Sequence, residues 1–160
     1  MRAVPTKSEA VFPPLLRFVM GTASTHLPRL LFVCVENSNR SQMAEAFARM
    51  HGGAEVNAYS AGSRPSGTVN PRAIAAMAEK GYDLSTHGSK SLDDIPTGDY
   101  EYVVTMGCGD ACPWIPARHR EDWELPDPKH MAPEEFLTVR DEIERRVISL
   151  LARLRQTQAG

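Results

Sequence analysis

From residue 29 onward the apolar positions fall into two kinds of block, short continuous runs and longer stretches that repeat every three or four residues. Leu30-Leu31-Phe32-Val33-Cys34-Val35 is a continuous run of strand length, as in a parallel strand covered on both faces. Polar residues follow at once. Met43, Phe47 and Met50 then recur at helical spacing between Ser41 and His51, and Gly52-Gly53 supplies a stop. The pattern predicts a second strand over 56–60 and a second helix from Asn70-Pro71 to Gly81, with Asn as cap and Pro in the first turn. A third strand is predicted over 100–106. Residues 82–98 are turn-rich with a short helical turn at 91–95, 107–113 read as a loop, and a short fourth strand is expected near 120–124. Phe136, Val139, Ile143, Val147, Leu150 and Leu154 form an apolar stripe on a final helix from Ala132-Pro133 to about Arg155. Strands alternating with helices predict an α/β class and an open, mostly parallel sheet.

A chain of 160 residues can bury one sizeable core but is short for two independent domains. It divides into an amino-terminal extension over 1–28, partly irregular with Leu15, Phe18 and Val19 docking on the body; a single domain over 29–156; and a flexible tail over 157–160. With 42% apolar residues, 24% charged residues and a net charge of -2, the composition is that of a soluble globular protein and gives no basic excess for nucleic acid. The apolar stretch Val11–Met20 is interrupted by Pro13, Pro14 and Arg17 and is shorter than the roughly 20 residues of a membrane span. Glu9 and the Pro pair also break the pattern of a signal peptide, so no membrane association and a cytoplasmic location are expected. Three scattered cysteines in a reducing compartment are catalytic, metal-binding or buried more often than they are structural staples. Nothing in the pattern fixes the oligomeric state.

Cys34 should stand at the carboxyl end of the first strand and Ser41 near the amino end of the first helix, the place where parallel sheets bind ligands. Between them Val35, Glu36, Asn37, Ser38 and Asn39 can turn backbone N–H groups inward, and the helix end adds positive partial charge, so a tetrahedral oxyanion fits. Arg40 adds a planar fork of donors. These groups favour the Cys34 thiolate, the nucleophilic form, and Ser41 can donate to its sulfur. Asn37 can hold the curvature of the loop. The competing reading makes Cys34 a small buried hydrophobe, Arg40 a solvated residue and Ser41 only a first-turn position.

The stretch from Cys34 to Ala46, the block Ser60-Ala61-Gly62 with Val69-Asn70-Pro71-Arg72-Ala73, and the block from Val103 to Cys108, Cys112-Pro113 and Trp123 to Pro128 together resemble the low-molecular-weight protein tyrosine phosphatase fold, and within it the thiol-dependent arsenate reductases. The resemblance implies a four-stranded parallel sheet in the order 2-1-3-4 with helices on both faces. It implies arsenate reduction in which Cys34 attacks arsenate, Asp127 acts as general acid, Cys108 displaces arsenite by forming a disulfide and Cys112 carries that disulfide to the surface. Phosphate or sulfate would compete as anions. No tightly bound cofactor is implied, only an external thiol reductant, with thioredoxin expected.

The chain departs from the resembled pattern at several positions. Glu36 stands where a glycine is usual, so its carboxylate must face solvent or repel the anion. Asn39 replaces a third loop cysteine, and only three residues separate Cys108 from Cys112. The resemblance also implies a potassium ion held by Asn37-, Glu45- and Ser60-type residues; with Gly88 and Lys90 at its remaining positions, the Lys90 ammonium is expected in its place and no metal is assigned. Other readings stay open. Asp127 is also a plain turn residue before Pro128, Glu45 also a surface carboxylate, and Trp123 either core or recognition surface. His87 is read as structural or solvent-facing, and Arg64, Arg72 and Arg118 as solvated charges. Cys108 and Cys112 with His119 or His130 form a weak zinc pattern. Two further functions compete, a phosphatase that needs neither Cys108 nor Cys112 and a non-catalytic oxyanion sensor.

Overall fold

The structure, a computed structural model, describes residues 26–107 and 112–159. The expected docking of Leu15, Phe18 and Val19, and the position of Cys108, lie outside the described residues. The first element, β1 (Arg29–Cys34), is the apolar run read from the sequence. Leu30, Leu31, Phe32 and Val33 are fully buried, each contributing about 1.5–3 kcal/mol of apolar burial. It lies at the centre of the sheet because both its faces are apolar. β2 (Asn57–Gly62) pairs with it on one side and β3 (Tyr102–Thr105) on the other, while β4 (His119–Asp122) pairs with β3. All pairings are parallel, and the order is β2-β1-β3-β4.

Three helices pack on these strands: α1 (Arg40–Gly52) between β1 and β2, α2 (Pro71–Ala78) between β2 and β3, and α3 (Pro133–Ala159) after β4. The α2 start is the predicted one, with Asn70 accepting from the Arg72 amide at 2.9 Å. Met43 and Phe47 of α1, Met77 of α2, and Phe136, Ile143 and Leu150 of α3 join Leu30, Phe32 and Val104 in the main core on one face. The other face buries Leu31, Val33 and Val103 under the short 3-10 turn Leu92–Asp94, Ile95 and Ile115. Helical structure thus covers both faces, unequally.

Element ends moved where tertiary contacts overrule local pattern. β2 runs to Gly62 rather than Ser60 because its register with β1 continues to Cys34. Residues 157–159 of the expected flexible tail are helical, since α3 continues to Ala159. Charge on α3 is not all solvated: Arg140 is buried, and donates to the Ala76 carbonyl at 3.0 Å and Glu79 at 2.8 Å, tying α3 to the end of α2.

Candidate active site

Parallel pairing aligns Cys34 with Gly62, and Thr105 with Val33, so the loop after β1 and the segments after β2 and β3 meet at one sheet edge. The loop from Cys34 to Arg40 turns its carbonyls outward. Those of Cys34, Val35, Glu36 and Ser38 accept from the amides of Ser63, Arg64, Ser66 and Asn70, and that of Asn37 accepts from Gln42 Nε2. Because each peptide is planar, the N–H groups of Val35 through Asn39 then point the opposite way, toward the interior of the loop. Asn37 makes the curve at φ +50°, a left-handed conformation that Asn tolerates better than most residues. Gly62 lets β2 approach this closely: a Cβ there would lie 2.5 Å from the Val35 oxygen.

Cys34 is a free, buried thiol, and its Sγ lies 2.8 Å from Ser41 Oγ. The direction of that bond follows from its neighbours. Asn37 Nδ2 donates to Ser41 Oγ at 2.9 Å, which leaves the Ser41 hydrogen for the sulfur. Asn37 is itself fixed on both sides, donating to Ser60 Oγ at 3.0 Å and accepting at Oδ1 from Lys90 N at 2.7 Å and Gln42 Nε2 at 2.8 Å. Arg40 is buried rather than solvated. Its Nη1 donates to the Met106 carbonyl at 2.6 Å and the Leu125 carbonyl at 2.9 Å, so the guanidinium plane is fixed between β3 and the segment carrying Asp127.

Asp127 is a turn residue that also faces Arg40. One carboxylate oxygen accepts from the Lys129 amide at 3.0 Å, capping the 3-10 turn Pro128–His130, and the other faces Arg40 Nη2 at 4.0 Å. Glu36 faces away from the loop interior, with its carboxylate 3.1 Å from Lys129 Nζ. Glu45 is not a surface carboxylate. It is buried, accepts from Ser60 Oγ at 2.6 Å and pairs with Arg49 at 2.7 Å. Lys90 Nζ lies 2.9 Å from the Gly88 carbonyl, 3.4 Å from Ser60 Oγ and 3.6 Å from Glu45 Oε1. An ammonium therefore stands among the donors that a potassium ion would need, and the residues do not fit the ion.

Cys112 is disulfide-bonded, which removes it as a zinc thiolate. Among the described residues no group of three or more His, Cys, Asp or Glu is arranged to hold a metal, and no helix is long and apolar enough to cross a membrane. Trp123 is core: it is buried against Phe32, with ring centroids 5.9 Å apart, and its Nε1 donates to Glu121 at 2.8 Å. Arg64 and Arg118 are exposed, as read.

Four contributors had no sequence signal of their own. Arg72, read as a solvated charge, instead donates to the carbonyls of Lys129 at 3.1 Å and Met131 at 2.6 Å, clamping the turn that carries Asp127. Gln42 joins Asn37 to His87, whose Nδ1 lies 2.9 Å from Gln42 Oε1 and whose Nε2 lies 2.7 Å from the Tyr82 hydroxyl. Burial holds His87 below its ordinary value of 6.5, although Glu45 works against that shift. Lys129 is the fourth, and only its adjacency to Asp127-Pro128 could have marked it.

Comparison with known proteins agrees with this geometry. The Low molecular weight phosphotyrosine protein phosphatase family matches residues 29–159. A Glutaredoxin arsenate reductase of Synechocystis sp. is 39% identical over 131 residues, 80% of this chain and 99% of that protein. An Arsenate reductase of Staphylococcus xylosus is 44% identical over 118 residues, 71% of this chain and 88% of that protein. Among solved structures, an arsenate reductase in the phosphate binding state superposes with a TM-score of 0.72 at 38% identity, covering 79% of this chain and 98% of that one. A thioredoxin-dependent arsenate reductase of Corynebacterium glutamicum gives a TM-score of 0.69 at 33% identity, covering 89% of this chain and 69% of that one. The inward amides around a free Cys34 and the carboxylate of Asp127 opposite Arg40 thus occur on the fold, and in the sequence context, of those relatives: the chain belongs to the low-molecular-weight phosphotyrosine protein phosphatase family, among its thiol-dependent arsenate reductases.

Proposed function

We infer that the chain is an arsenate reductase, converting arsenate to arsenite and passing the oxidation from Cys34 through Cys108 to Cys112. The observation that carries the reading is the distribution of sulfur: Cys34 is a free thiol in the anion loop while Cys112 is disulfide-bonded. Sequence and fold similarity to arsenate reductases supports the reaction itself.

The chemistry follows from the residues. The amides of Val35 through Asn39 and the free edge of Arg40 bind arsenate, with phosphate and sulfate as competitors of similar shape. Cys34, receiving a hydrogen bond from Ser41, attacks arsenic as the thiolate, and Asp127 protonates the departing oxygen so that water leaves. Cys108 then attacks the Cys34 sulfur. An S–S bond forms, the As–S electron pair stays on arsenic, and arsenic(V) leaves as arsenite. Attack of Cys112 on Cys108 frees Cys34, and an external dithiol, itself oxidised to a disulfide, supplies two electrons that reduce the Cys108–Cys112 bond back to two thiols. The Lys90 ammonium holds the Asn37–Ser60–Glu45 network in the place of a cation. Thioredoxin is the expected reductant, with glutaredoxin the other protein dithiol to try, and the reducing cytoplasm is the compartment that keeps Cys34 competent.

The test is arsenate-dependent NADPH oxidation with thioredoxin and thioredoxin reductase, with phosphate in place of arsenate as control. Turnover that is lost in Cys108→Ser and Cys112→Ser supports the relay. A phosphatase would instead hydrolyse p-nitrophenyl phosphate at full rate in both variants and leave arsenate untouched, and an oxyanion sensor would bind arsenate with no Cys34-dependent product.

A further inference from the structure

The most exposed large apolar side chain among the described residues is Trp114, 71% exposed and two positions from the disulfide-bonded Cys112. Its exposure follows from how the segment is fastened. Cys112, Ile115 and Ala117 pack inward against the core formed by Leu31, Val33, Ala61, Tyr100 and Val103, so the indole between them is turned to solvent. Pro113 and Pro116 fix backbone angles on either side of it. Arg120 holds the ring from one face: its guanidinium carbon lies 4.8 Å from the ring centroid, and its Nη1 donates to the Ile115 carbonyl. An exposed indole held in this way loses little side-chain freedom when a partner covers it, which makes it an efficient anchor.

We propose that Trp114, backed by Arg120, is the docking anchor for the protein dithiol that reduces the Cys112 disulfide. This rests on the relay reading above. The occupant is a small thioredoxin-fold reductant, because thiol–disulfide exchange requires the two sulfurs to touch and the reductant must therefore cover the surface beside Cys112. Arg120 gives that surface a cationic group beside the indole, so the partner presents an apolar patch around its nucleophilic cysteine with an acidic group at the rim. The reductant's thiolate attacks Cys112 Sγ, forming a mixed disulfide and expelling the other sulfur of the bond as thiolate. The reductant's second thiol then attacks its own sulfur in the mixed disulfide, releasing Cys112 as thiolate and leaving the reductant oxidised. Two electrons enter the chain from two thiols, and their two protons go to solvent or to the released thiolates.

The experiment compares the wild-type chain with Trp114→Ala and Trp114→Phe in arsenate turnover driven by thioredoxin, by glutaredoxin with glutathione, and by dithiothreitol. Trp114→Ala should raise the KM for the protein reductant about tenfold or more, as truncation of an interface anchor does. The dithiothreitol-driven rate and the KM for arsenate should stay within about twofold, as expected for a side chain outside the reacting site, and Trp114→Phe should retain most of the protein-driven rate. An unchanged KM for both protein reductants, or an equal loss with dithiothreitol, overturns the proposal. A second assay needs no arsenate: the oxidised chain is mixed with thioredoxin and its new thiols are counted over time. Slower reduction of Trp114→Ala than of wild type there, even without arsenate turnover, upholds the docking surface separately from the arsenate reading, whereas equal rates overturn it.

Discussion

Glu36 stands in an anion loop where a free carboxylate would oppose substrate binding, yet Lys129 lies 3.1 Å from it and cancels its charge. Both side chains are more than a third exposed, so the pair adds little to stability, about 0.2–1 kcal/mol at most. Its consequence is electrostatic. An unmasked carboxylate close to a dianion costs about 1 kcal/mol in waterlike surroundings, roughly fivefold in affinity. Lys129→Met should therefore raise the KM for arsenate about fivefold with kcat and thermal midpoint nearly unchanged, an effect of that size following from the charge alone. Adding Glu36→Gln should restore the KM. Steady-state kinetics on the two single variants and the double variant measure this directly, and a double variant whose KM stays as high as that of Lys129→Met would rule out masking. The contrast with Cys34, Arg40 and Ser41 shows what a sequence can disclose. Those three are close neighbours between a strand and a helix, so spacing alone placed them, whereas Lys129 reaches Glu36 across 93 positions and only the fold brings them together.

At the level of elements, the end of β2 does more than extend the sheet. Gly62 pairs with Cys34, and its missing side chain leaves room for the backbone of the anion loop. A Cβ there would meet the Val35 oxygen at 2.5 Å and the Asn37 nitrogen at 2.9 Å, and neither backbone atom can yield without unbending the loop. Gly62→Ala should therefore cost about 1–3 kcal/mol of stability, as overpacking does, and should weaken phosphate binding more than its stability loss implies. Calorimetric titration with phosphate beside a melting curve separates the two effects; phosphate affinity equal to wild type would mean the loop tolerates the shift. The sequence showed Ser60-Ala61-Gly62 as a block but gave no reason for the glycine, because that reason is a contact with the anion loop, distant in sequence. β4 was hard to place for a similar cause. His119–Asp122 is polar and largely exposed, an edge strand defined by its ladder to β3 rather than by any apolar pattern. The central strand and the α3 stripe were legible because burial itself writes their periodicity.

Across the whole molecule, alternation of strands and helices was enough to indicate a parallel sheet, but its order came from likeness to a family and its polar wiring from neither. That wiring makes the fold sensitive to acid in a defined window. Gln42 Nε2 donates to Asn37 and to the Gly88 carbonyl, so Gln42 Oε1 must accept from His87 Nδ1, and His87 Nε2 accepts from the Tyr82 hydroxyl. That is the arrangement of the neutral imidazole, the form burial favours. Burial lowers the folded value of His87; Glu45 raises it, Lys90 and Arg49 lower it, and Asp83 raises it. Between the lowered folded value and the unfolded value near 6.5, the unfolded chain binds more protons than the folded one. The stability from His87 is therefore fully present above about pH 6.5 and is lost as pH falls through its folded value. A separate loss begins lower. Glu144, although desolvation opposes the shift, is held below the ordinary 4.5 by hydrogen bonds from Lys80 and His51, and Glu142 is held at about 2 by Arg145 and Arg146. The stability of these carboxylates is present above about pH 4.5 and is lost below it. Thermal midpoints measured from pH 8 to pH 3 should accordingly fall in two stages, and His87→Gln, which keeps a polar group toward Gln42 without titrating, should remove the upper stage alone. Arsenate KM should rise with the upper stage in the wild-type chain, because Gln42 transmits the change at His87 to Asn37 and so to the loop. A His87→Gln variant whose midpoint keeps the wild-type slope as pH falls below 6.5 would place the acid sensitivity elsewhere.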